Sequence, residues 1–401
     1  MTTVHDGLDG VVAAATALSD VDGERGALTI AGFPLEVLAS RATFEETTWL
    51  LWHGELPTAG ELDGFRRALA AARTPAPATL DVVRECVAAG LDAMDTLRVA
   101  AGTISITAAD AETLVAQCPV IVAASARLRR GLEPLDPRPD LGHAASFLYL
   151  LDGDVPDPER VRGLETYLNT VADHGLNAST FTARVITSTG SDLVAAVVGA
   201  LGALKGPLHG GAPGPALDMV FEIGEASRAE AVLAARLARG EKLMGFGHRV
   251  YKVRDPRADV LAAAAERLYS HGGDRALYDL ARAVEATALR LLEAAKPGRR
   301  LQTNVEFYTA LLLHGLGLDT GLFTPTFAMS RVSGWVAHAA EQRRTGRIIR
   351  PQSVYVGPRG RAWVPLDERR ADRSRPADPA ELTVRPPATP GCAAGIGPAA
   401  P

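Results

Sequence analysis

The segment DRALYDLARAVEATALRLLEAAK, residues 274–296, carries the clearest helical pattern in the chain. Its apolar side chains recur at steps of three and four residues, a spacing that puts them on one face of an α-helix. They are Leu277, Leu280, Ala281, Val284, Ala288, Leu291 and Leu292. Asp274 can cap the start of this helix, and Pro297-Gly298 can end it. The segment therefore predicts one long amphipathic helix.

Other segments of similar composition predict further helices. Alanine, leucine, arginine and glutamate lose little side-chain freedom in a helix, and they dominate several stretches of the chain. These stretches are residues 193–204, 227–239, 258–268 and 327–341. Segments rich in proline and glycine, at 131–142 and 152–158, predict loops between helices. The pattern as a whole indicates an almost entirely α-helical protein.

Two regions depart from the helical pattern. The sequence ALTIAGFPLEVL, residues 27–38, alternates weakly around a glycine and predicts at most a small β-hairpin near the N-terminus. Residues 367–401 are rich in arginine, aspartate, proline, alanine and glycine and cannot form an apolar face. We therefore expect the tail to be disordered.

Length and composition limit the classes of protein to consider. A chain of 401 residues exceeds the usual size of one domain, which favours a large domain with a smaller one. The hydrophobic fraction of 47% and the charged fraction of 22% are ordinary for a globular protein. The net charge is -5 and no long block of one sign occurs, so neither nucleic acid nor an anionic membrane is an expected partner.

The cysteines and the N-terminal residues indicate in which cellular compartment the protein is expected. Cys86, Cys118 and Cys392 form no CxxC pair or disulfide framework, which suits a reducing environment. The first ten residues, MTTVHDGLDG, lack a basic stretch followed by a long apolar run. No apolar run approaches the roughly 20 residues that span a bilayer. We expect a cytoplasmic protein that is not inserted in a membrane.

Several common functional motifs are missing from the sequence. The phosphate-loop pattern GxxxxGK[ST] is absent, and the nearest match to GxGxxG, at residues 245–250, fails at its last position. The chain has no GxSxG, no HExxH and no cysteine and histidine spacing suited to zinc. Neither a dinucleotide-binding sheet nor a metal site is expected.

Three segments place a histidine or a carboxylate beside glycine, asparagine or arginine in apolar surroundings. LKGPLHGGA, residues 204–212, contains His209 among small or rigid residues that let a ligand approach the backbone. MGFGHRVYKVRDPRA, residues 244–258, contains a histidine with four cations, namely His248, Arg249, Lys252, Arg254 and Arg257. The third segment, residues 303–335, offers Glu306 and Arg331.

Each of these segments alone is also compatible with an ordinary core or surface role. Together they supply two imidazoles that can be neutral, one carboxylate and several guanidinium groups. That set can form an enol and condense it with a substrate carrying several carboxylates. The three segments together are much rarer than any one of them, and their combination favours an enzyme.

In these segments the chain resembles the citrate synthase family. The resemblance runs from GLDGVVAAATALSDVDGERGALTIAGFPLEVLA, residues 7–39, to RIIRPQSVYVGP, residues 347–358. It implies an all-α, two-domain homodimer. A large helical domain would take in residues 1–210 and 318–366, and residues 211–317 would form a smaller domain that closes over the substrates.

The resemblance also implies a reaction and its catalytic residues. Acetyl-CoA would condense with oxaloacetate and water, with the thioester as a co-substrate and no permanently bound cofactor. His209 would hydrogen-bond the thioester oxygen, His248 would polarise the oxaloacetate carbonyl, and Glu306 would remove the methyl proton. A carboxylate can deprotonate so weak a carbon acid only if the developing enolate oxygen is stabilised.

Further residues are implied to bind the two substrates. His174, Arg257 and Arg331 would contact oxaloacetate, where planar guanidinium groups suit carboxylates better than lysine does. Arg350 would reach the site of the neighbouring subunit. The loop Gly245-Phe246-Gly247 would lie beside the coenzyme A adenine, and Lys252 near its phosphates, although a solvated basic face competes with these last assignments.

Two positions depart from the family pattern. Glu306 stands where the family most often has aspartate, so the base is one methylene longer, and Asp92-Ala93 replace a frequent His-Pro pair. Two alternatives to a citrate synthase stay open. A 2-methylcitrate synthase would use propionyl-CoA, and one methylene is worth only about 1–3 kcal/mol in an apolar pocket. A catalytically weakened homologue would only bind coenzyme A or dicarboxylates.

Overall fold

The computed structural model describes residues 4–104, 111–210, 213–248 and 250–369. Helices dominate this part of the chain, so the prediction of an all-α fold is confirmed. The α-helices are α1 (Leu35–Arg41), α2 (Phe44–His53), α3 (Ala59–Ala72), α4 (Pro77–Ala88), α5 (Ala93–Ala101), α6 (Ala111–Arg129), α7 (His143–Asp152), α8 (Pro158–Val171), α9 (Ala178–Ser188), α10 (Leu193–Leu204), α11 (Pro213–Ile223), α12 (Ala229–Ala238), α13 (Pro256–Ser270), α14 (Arg275–Ala295), α15 (Val305–Gly315) and α16 (Phe323–Thr345).

The small sheet lies near the N-terminus and has three antiparallel strands. They are β1 (Ser19–Asp22), β2 (Ala27–Ile30) and β3 (Phe33–Pro34), in the order β1-β2-β3. The predicted hairpin corresponds to β2 and β3, and β1 adds a third strand that the sequence did not indicate. The aspartates at Asp20 and Asp22 explain the omission, because aspartate is depleted in strands.

The helix predicted from the opening segment is confirmed as α14. The side chain of Asp274 accepts the backbone N–H of Leu277, which satisfies one of the free donors of the first turn. Leu277, Val284 and Leu292 are buried on its apolar face. The other predicted helices correspond to α10, α12, α13 and α16, and the segments predicted as loops contain no helix between α6 and α7 or between α7 and α8.

Helix α6 is a largely buried core helix. It has 19 residues and is long and apolar enough to cross a membrane by length and composition alone, a property that the sequence analysis missed. However, 78% of its most apolar window is buried inside the protein. Core helices of globular proteins pass the same test, so α6 is weak support for a membrane span.

Gly7–Pro351 forms one compact unit, and its apolar interior is a continuous core. Within it α13 packs on α15, and α9 packs on both α10 and α16. The fully buried Trp335 of α16 donates from Nε1 to the hydroxyl of Ser179 in α9, at 3.2 Å. These contacts bring together the helices that carry, or lie next to, several of the predicted site residues.

The second unit contains the described residues 4–6 and 352–369. Its regular structure in this range is one short 3-10 turn at Leu366–Glu368. The predicted disordered tail lies, from residue 370 onward, outside the described residues. The predicted division into a large domain of residues 1–210 and 318–366 and a small domain of residues 211–317 remains a prediction.

The cysteines that the structure describes are free thiols. Cys86 and Cys118 are both buried and form no disulfide. Burial raises the pKa of Cys118 to about 12. Asp92, one of the departures from the family pattern, caps α5 by accepting the backbone N–H of Asp95 at 2.7 Å.

Candidate active site

One cavity of about 810 Å³ brings most of the predicted site residues together. Its lining includes His174, His209, His248, Arg257, Glu306 and Arg331. A second cavity, of about 400 Å³, shares four lining residues with the first. These are Gly247, His248, Asn304 and Glu306. We call the two the large cavity and the small cavity.

Two short segments place His248 beside Glu306. Residues 245–247 run antiparallel to residues 302–304, and the N–H of Gly247 donates to the carbonyl of Gln302 at 2.7 Å. The side chain of Asn304 closes the pair by donating to the carbonyl of Gly247 at 2.8 Å. As a result, the residue before His248 is bonded to the residue that begins the Glu306 helix.

The glycines of this loop are required by its geometry. Gly245 and Gly247 have φ angles of +87° and +85°, a region that residues with a side chain rarely adopt. A Cβ on Gly245 would lie 2.9 Å from the side chain of Phe307, and one on Gly247 would lie 3.1 Å from Leu301. The loop can therefore approach α15 and the segment before it closely only without side chains at these two positions.

The backbone around His248 determines which of its ring nitrogens carries the proton. Nδ1 accepts two backbone N–H groups, from Val250 at 3.0 Å and from Tyr251 at 3.1 Å. A neutral ring must then carry its proton on Nε2. Burial and the positive charge of Arg257 lower the pKa of His248 to about 4, so the ring is neutral near pH 7.

The Nε2 of His248 lies 3.3 Å from Nη2 of Arg257. Because both atoms carry hydrogen in this state, they form a pair of donors rather than a hydrogen bond to each other. Two donors that converge on one region favour an oxygen with developing negative charge. A ketone oxygen that becomes an alkoxide would satisfy both.

His209 follows α10 and contacts the first turn of α9. Its Nε2 lies 3.3 Å from the backbone nitrogen of Ser179 and 2.9 Å from the hydroxyl oxygen of the same residue. Since a backbone N–H can only donate, a neutral ring that accepts it carries its proton on Nδ1. Burial, and then the charge of Arg331, lower the pKa of His209 to about 4. His209 is therefore a neutral donor that borders the large cavity.

Glu306 lies in the first turn of α15 and borders both cavities. Asn304 caps this helix by accepting the N–H of Glu306 at 3.0 Å. Burial raises the pKa of Glu306 to about 7, while the charge of Arg257 acts to lower it. A carboxylate with a pKa near neutrality is suited to serve as a general base.

Arg257 is held by an adjacent carboxylate. Its Nε and Nη2 donate to the two oxygens of Asp255 at 3.0 and 2.8 Å. Asp255 caps α13 and also accepts the N–H of Val305 at 3.2 Å, so it joins the first turns of α13 and α15. Burial acts to lower the pKa of Arg257, but Asp255 raises it above its ordinary value. The guanidinium is thus charged and fixed.

Arg331 reaches the large cavity from α16. Its Nε donates to the carbonyl of Val171 at 2.6 Å, and its guanidinium lies over the ring of Phe327. Within the described residues its two terminal nitrogens make no hydrogen bond, so they are available to a ligand. Burial lowers the pKa of Arg331 to about 10, which still leaves the side chain positive near pH 7.

His174 lies between α8 and α9 and contacts Tyr251. Its Nε2 is 3.1 Å from the Tyr251 hydroxyl, and its ring centroid is 6.1 Å from that of His248. Burial and the charges of Arg257 and Arg331 hold the pKa of His174 well below its usual range. His174 is therefore neutral beside the two arginines.

The remaining predicted residues lie elsewhere. Gly245 and Phe246 line the small cavity, and Gly247 lines both cavities. Lys252 lines neither cavity, and its backbone N–H donates to the carbonyl of Gly23 at 2.9 Å. Arg350 is exposed and also lines neither. The structure therefore unites six of the predicted side chains and leaves Lys252 and Arg350 apart from them.

Several site residues were missed by the sequence analysis. Asp255 and Asn304 had a readable signal, because each is a helix-capping residue directly before a helix that carries a predicted site residue. Tyr251 had none, since a tyrosine in a basic segment is equally compatible with packing. The cations of the small cavity, Lys242, Lys296 and Arg299, come from separate segments and had no shared motif. Within the described ranges, no group of three or more histidine, cysteine, aspartate or glutamate side chains could hold a metal ion.

Comparison with known proteins identifies the family. A family model described as citrate synthase, C-terminal domain, matches residues 7–352. Citrate synthase 2 of Bacillus subtilis is 40% identical over 379 residues, which cover 92% of this chain and 100% of that protein. The 2-methylcitrate synthase of Mycobacterium tuberculosis is 40% identical over 367 residues, covering 88% of this chain and 91% of that protein.

Solved structures agree with this match. Citrate synthase from Pyrobaculum aerophilum has a TM-score of 0.84 at 39% identity, covering 91% of this chain and 95% of that one. The enzyme from Thermoplasma acidophilum, solved with carboxymethyl coenzyme A and oxaloacetate, has a TM-score of 0.83 at 30% identity, covering 92% of this chain and 100% of that one. The chain belongs to the citrate synthase family and is an acyl-transferring enzyme.

Proposed function

We propose that the enzyme condenses acetyl-CoA with oxaloacetate and water to give citrate and free coenzyme A. The observation that carries this proposal is the lining of the large cavity, which combines His209, His248 and Glu306 with two guanidinium groups. Two neutral donors, one carboxylate base and fixed positive charges are what an enol condensation with a dicarboxylate requires.

In the first step Glu306 takes a proton from the thioester methyl group. Its pKa of about 7 makes the carboxylate a stronger base than an ordinary glutamate. The electrons of the broken C–H bond move onto the thioester oxygen. The Nδ1–H of His209 donates to that oxygen and stabilises the charge as it develops.

In the second step the enol carbon attacks the keto carbon of oxaloacetate. The π electrons of the ketone move onto the keto oxygen, where the donors at Nε2 of His248 and Nη2 of Arg257 stabilise the negative charge, and this oxygen then takes up a proton to become the hydroxyl group of the product. Water then hydrolyses the thioester, so that the C–S bond breaks and coenzyme A leaves as a thiol. This hydrolysis makes the synthesis effectively irreversible.

The carboxylates of oxaloacetate would bind the arginines. Arg257 and Arg331 offer fixed guanidinium groups at the large cavity, and His174 offers a neutral ring between them. In a homodimer Arg350 would complete the site of the partner. Its exposed position, outside its own subunit's cavity, is compatible with that role.

Coenzyme A would occupy the small cavity. Lys242, Lys296 and Arg299 line it and can bind phosphate groups, and the loop Gly245-Phe246-Gly247 can lie beside the adenine. The reacting end of the thioester would reach Glu306, which borders both cavities. Because Lys252 lines neither cavity, the three cations of the small cavity are the better candidates for phosphate contacts.

We also propose that residues 211–317 act as the smaller domain and close over the bound substrates. His209 lies two residues before this range, whereas His248 and Glu306 lie within it. Closure would bring these three residues, which already line one cavity, closer to the reacting carbons and would exclude water. Small-angle scattering with and without oxaloacetate should show a smaller radius of gyration in the liganded enzyme, and an unchanged radius would contradict closure.

A second candidate is a 2-methylcitrate synthase acting on propionyl-CoA. The chain is 40% identical both to a protein named citrate synthase 2 and to one named 2-methylcitrate synthase, so overall similarity favours neither. Steady-state rates with acetyl-CoA and propionyl-CoA under the same conditions decide between the two. A larger kcat/KM for propionyl-CoA would overturn the first proposal in favour of the second.

The deciding experiment for catalysis is thiol release from acetyl-CoA that depends on added oxaloacetate. We expect release by the unaltered protein and loss of release in Glu306→Gln. A homologue that only binds coenzyme A or dicarboxylates would release no thiol with either acyl-CoA. That outcome would refute both enzymatic proposals.

A further inference from the structure

The small N-terminal sheet and its first turn contact the chain segments beside both histidines that line the proposed oxaloacetate site. We propose that β1 and the turn after it, residues 19–26, position His174 and His248 relative to each other. The proposal rests on the proposed function, because it assigns these residues to the oxaloacetate part of that site. Ser19 and Gly23 are then positioning residues, since neither lines the large cavity.

At one end of β1, Ser19 binds the residues on both sides of His174. Its hydroxyl donates to Oδ2 of Asp173 at 2.5 Å and accepts the backbone N–H of Gly175 at 2.8 Å. Asp173 is completely buried, and its other oxygen lies 3.1 Å from Nε2 of His338. Ser19 therefore joins the His174 turn to a buried polar network.

That network also determines the proton position on His338. Nδ1 of His338 lies 2.9 Å from Nη1 of Arg184, and a guanidinium can only donate. Nε2 therefore carries the ring proton and donates to Asp173. Arg184 is bonded in turn to Glu341 at 2.6 Å. The turn that contains His174 is thus anchored to buried side chains of α9 and α16.

At the other end, the turn after β1 contacts the loop that follows His248. The carbonyl of Gly23 accepts the N–H of Lys252 at 2.9 Å. A Cβ on Gly23 would lie 2.4 Å from the carbonyl oxygen of Val250, a distance that no side chain tolerates without a shift. The close backbone contact therefore requires glycine at position 23.

Gly26 makes a second close contact with the same loop. Its φ angle is +68°, and a Cβ there would lie 2.6 Å from the side chain of Val253. The N–H groups of Val250 and Tyr251 in this loop are the donors to Nδ1 of His248. Moving the loop would therefore change both the position and the proton arrangement of the His248 ring.

Tyr251 connects the two histidines directly. Its hydroxyl lies 3.1 Å from Nε2 of His174, while its backbone N–H binds His248. Both histidines are thus fixed to one loop and to one strand. Because catalysis is sensitive to displacements of about 1 Å, the contacts of residues 19–26 are expected to affect the affinity for oxaloacetate.

The test compares two glycine substitutions that share a backbone penalty. Gly26 and Gly32 both have positive φ, +68° and +87°, but a Cβ on Gly32 would meet nothing within 4 Å. Both substitutions carry the cost of alanine at a positive φ, and Gly26→Ala should lose further stability in urea unfolding because its Cβ would also meet Val253. We expect Gly26→Ala to raise the KM for oxaloacetate roughly 10- to 100-fold, and Gly32→Ala to leave it unchanged. Equal oxaloacetate KM values for the two variants would overturn the proposal.

Ser19 provides a second test that does not depend on a tight glycine contact. Ser19→Ala removes one hydroxyl group, and we expect it to raise the oxaloacetate KM about tenfold more than the acetyl-CoA KM. Ser19→Thr keeps the hydroxyl on a residue that favours strands and should restore the value. If Ser19 has only a structural role, Ser19→Ala should lower stability but should not raise the oxaloacetate KM more than the acetyl-CoA KM. That result would contradict the proposal.

A readout without substrate separates this proposal from the proposed function. Nitrogen-15 spectra of the histidine rings report which ring nitrogen of His248 is protonated, with the His248 signal assigned from its loss in His248→Gln. Gly23→Ala should change the His248 signal, and Gly60→Ala, whose added Cβ meets nothing within 4 Å, should not. An unchanged signal in Gly23→Ala would refute the positioning role of residues 19–26 even if the enzyme is active. A changed signal in a protein that releases no thiol would support the positioning role of residues 19–26 and refute only the proposed reaction.

Discussion

Asn304 donates from its side-chain nitrogen to the backbone carbonyl of Gly247, at 2.8 Å. Asn304 also accepts the N–H of Glu306, so a single amide side chain connects the proposed base to the residue before His248. The Asn304 side chain therefore holds together the two backbone segments that carry the proposed base and the proposed donor. Substitutions at Glu306 should change the chemistry without displacing the loop.

Glu306→Gln removes the base while it keeps the size of the side chain. General-base catalysis typically contributes about 10²- to 10⁴-fold, so kcat should fall by that factor. Glu306→Asp keeps the charge but retracts it by one methylene, and it should lose at most about 100-fold. The measurement is oxaloacetate-dependent thiol release. A Gln variant as active as the Asp variant would exclude Glu306 as the base.

The activity should depend on pH through Glu306. Its pKa is about 7, and only the ionised carboxylate can accept a proton, so kcat/KM should fall below pH 7 and level off above it. His209 and His248, with pKa values of about 4, stay neutral through this range and add no second transition. A pH profile that is flat from pH 5 to pH 8 would contradict the assignment.

Arg331→Lys should weaken oxaloacetate binding. Lysine keeps the charge but cannot make two parallel hydrogen bonds to a carboxylate, and hydrogen bonds to charged groups contribute about 1.5–3 kcal/mol. The oxaloacetate KM should rise roughly 10- to 100-fold, with little change in the acetyl-CoA KM. Arg84→Lys, at an exposed ion pair with Glu133, is the matched control and should behave like the unaltered protein.

Arg350 can be tested by mixing inactive subunits. If it completes the partner's site, both Arg350→Ala and Glu306→Gln should be inactive as separate homodimers. After the two variants are unfolded and refolded together, mixed dimers should contain one intact site and recover activity. No recovery, with mixed dimers verified by mass spectrometry, would place Arg350 outside the site of the partner.

Arg184→Met should destabilise the fold. Arg184 is 2% exposed and donates to Glu341 at 2.6 Å, and breaking a buried pair typically costs about 3–5 kcal/mol. Urea unfolding should show this loss in free energy, whereas Arg84→Met, at an exposed pair, should cost no more than about 1 kcal/mol. Equal losses in the two variants would contradict the proposed importance of the buried pair.

Sequence patterns predicted the elements whose information is local. Helix α14 was readable because its apolar spacing, its cap at Asp274 and its end at Pro297 all lie within one segment. The predicted site residues that line the large cavity were found differently, through a resemblance carried by three separate motifs. Neither local spacing nor composition could have shown that His174, 74 residues before His248 in the chain, lies beside it.

The features that the sequence did not predict depend on contacts between segments that are distant in the chain. Ser19 binds Asp173 across 154 positions, and His338 binds the same carboxylate across 165 positions. No periodicity connects such pairs, so β1 and its contacts with the site could not be predicted. Lys252 differs from the other predicted site residues, because it lies in a basic segment but lines neither cavity, so its proposed contact with coenzyme A remains a prediction.

The burial of Cys118 makes this thiol a reporter of opening motions. With its pKa at about 12 and no exposed surface, it cannot react with an alkylating reagent while α6 is packed in the core. Each labelling event therefore records an excursion in which that helix becomes accessible. The rate of labelling at Cys118, compared with and without oxaloacetate, would measure how strongly substrate suppresses such excursions at the centre of the protein.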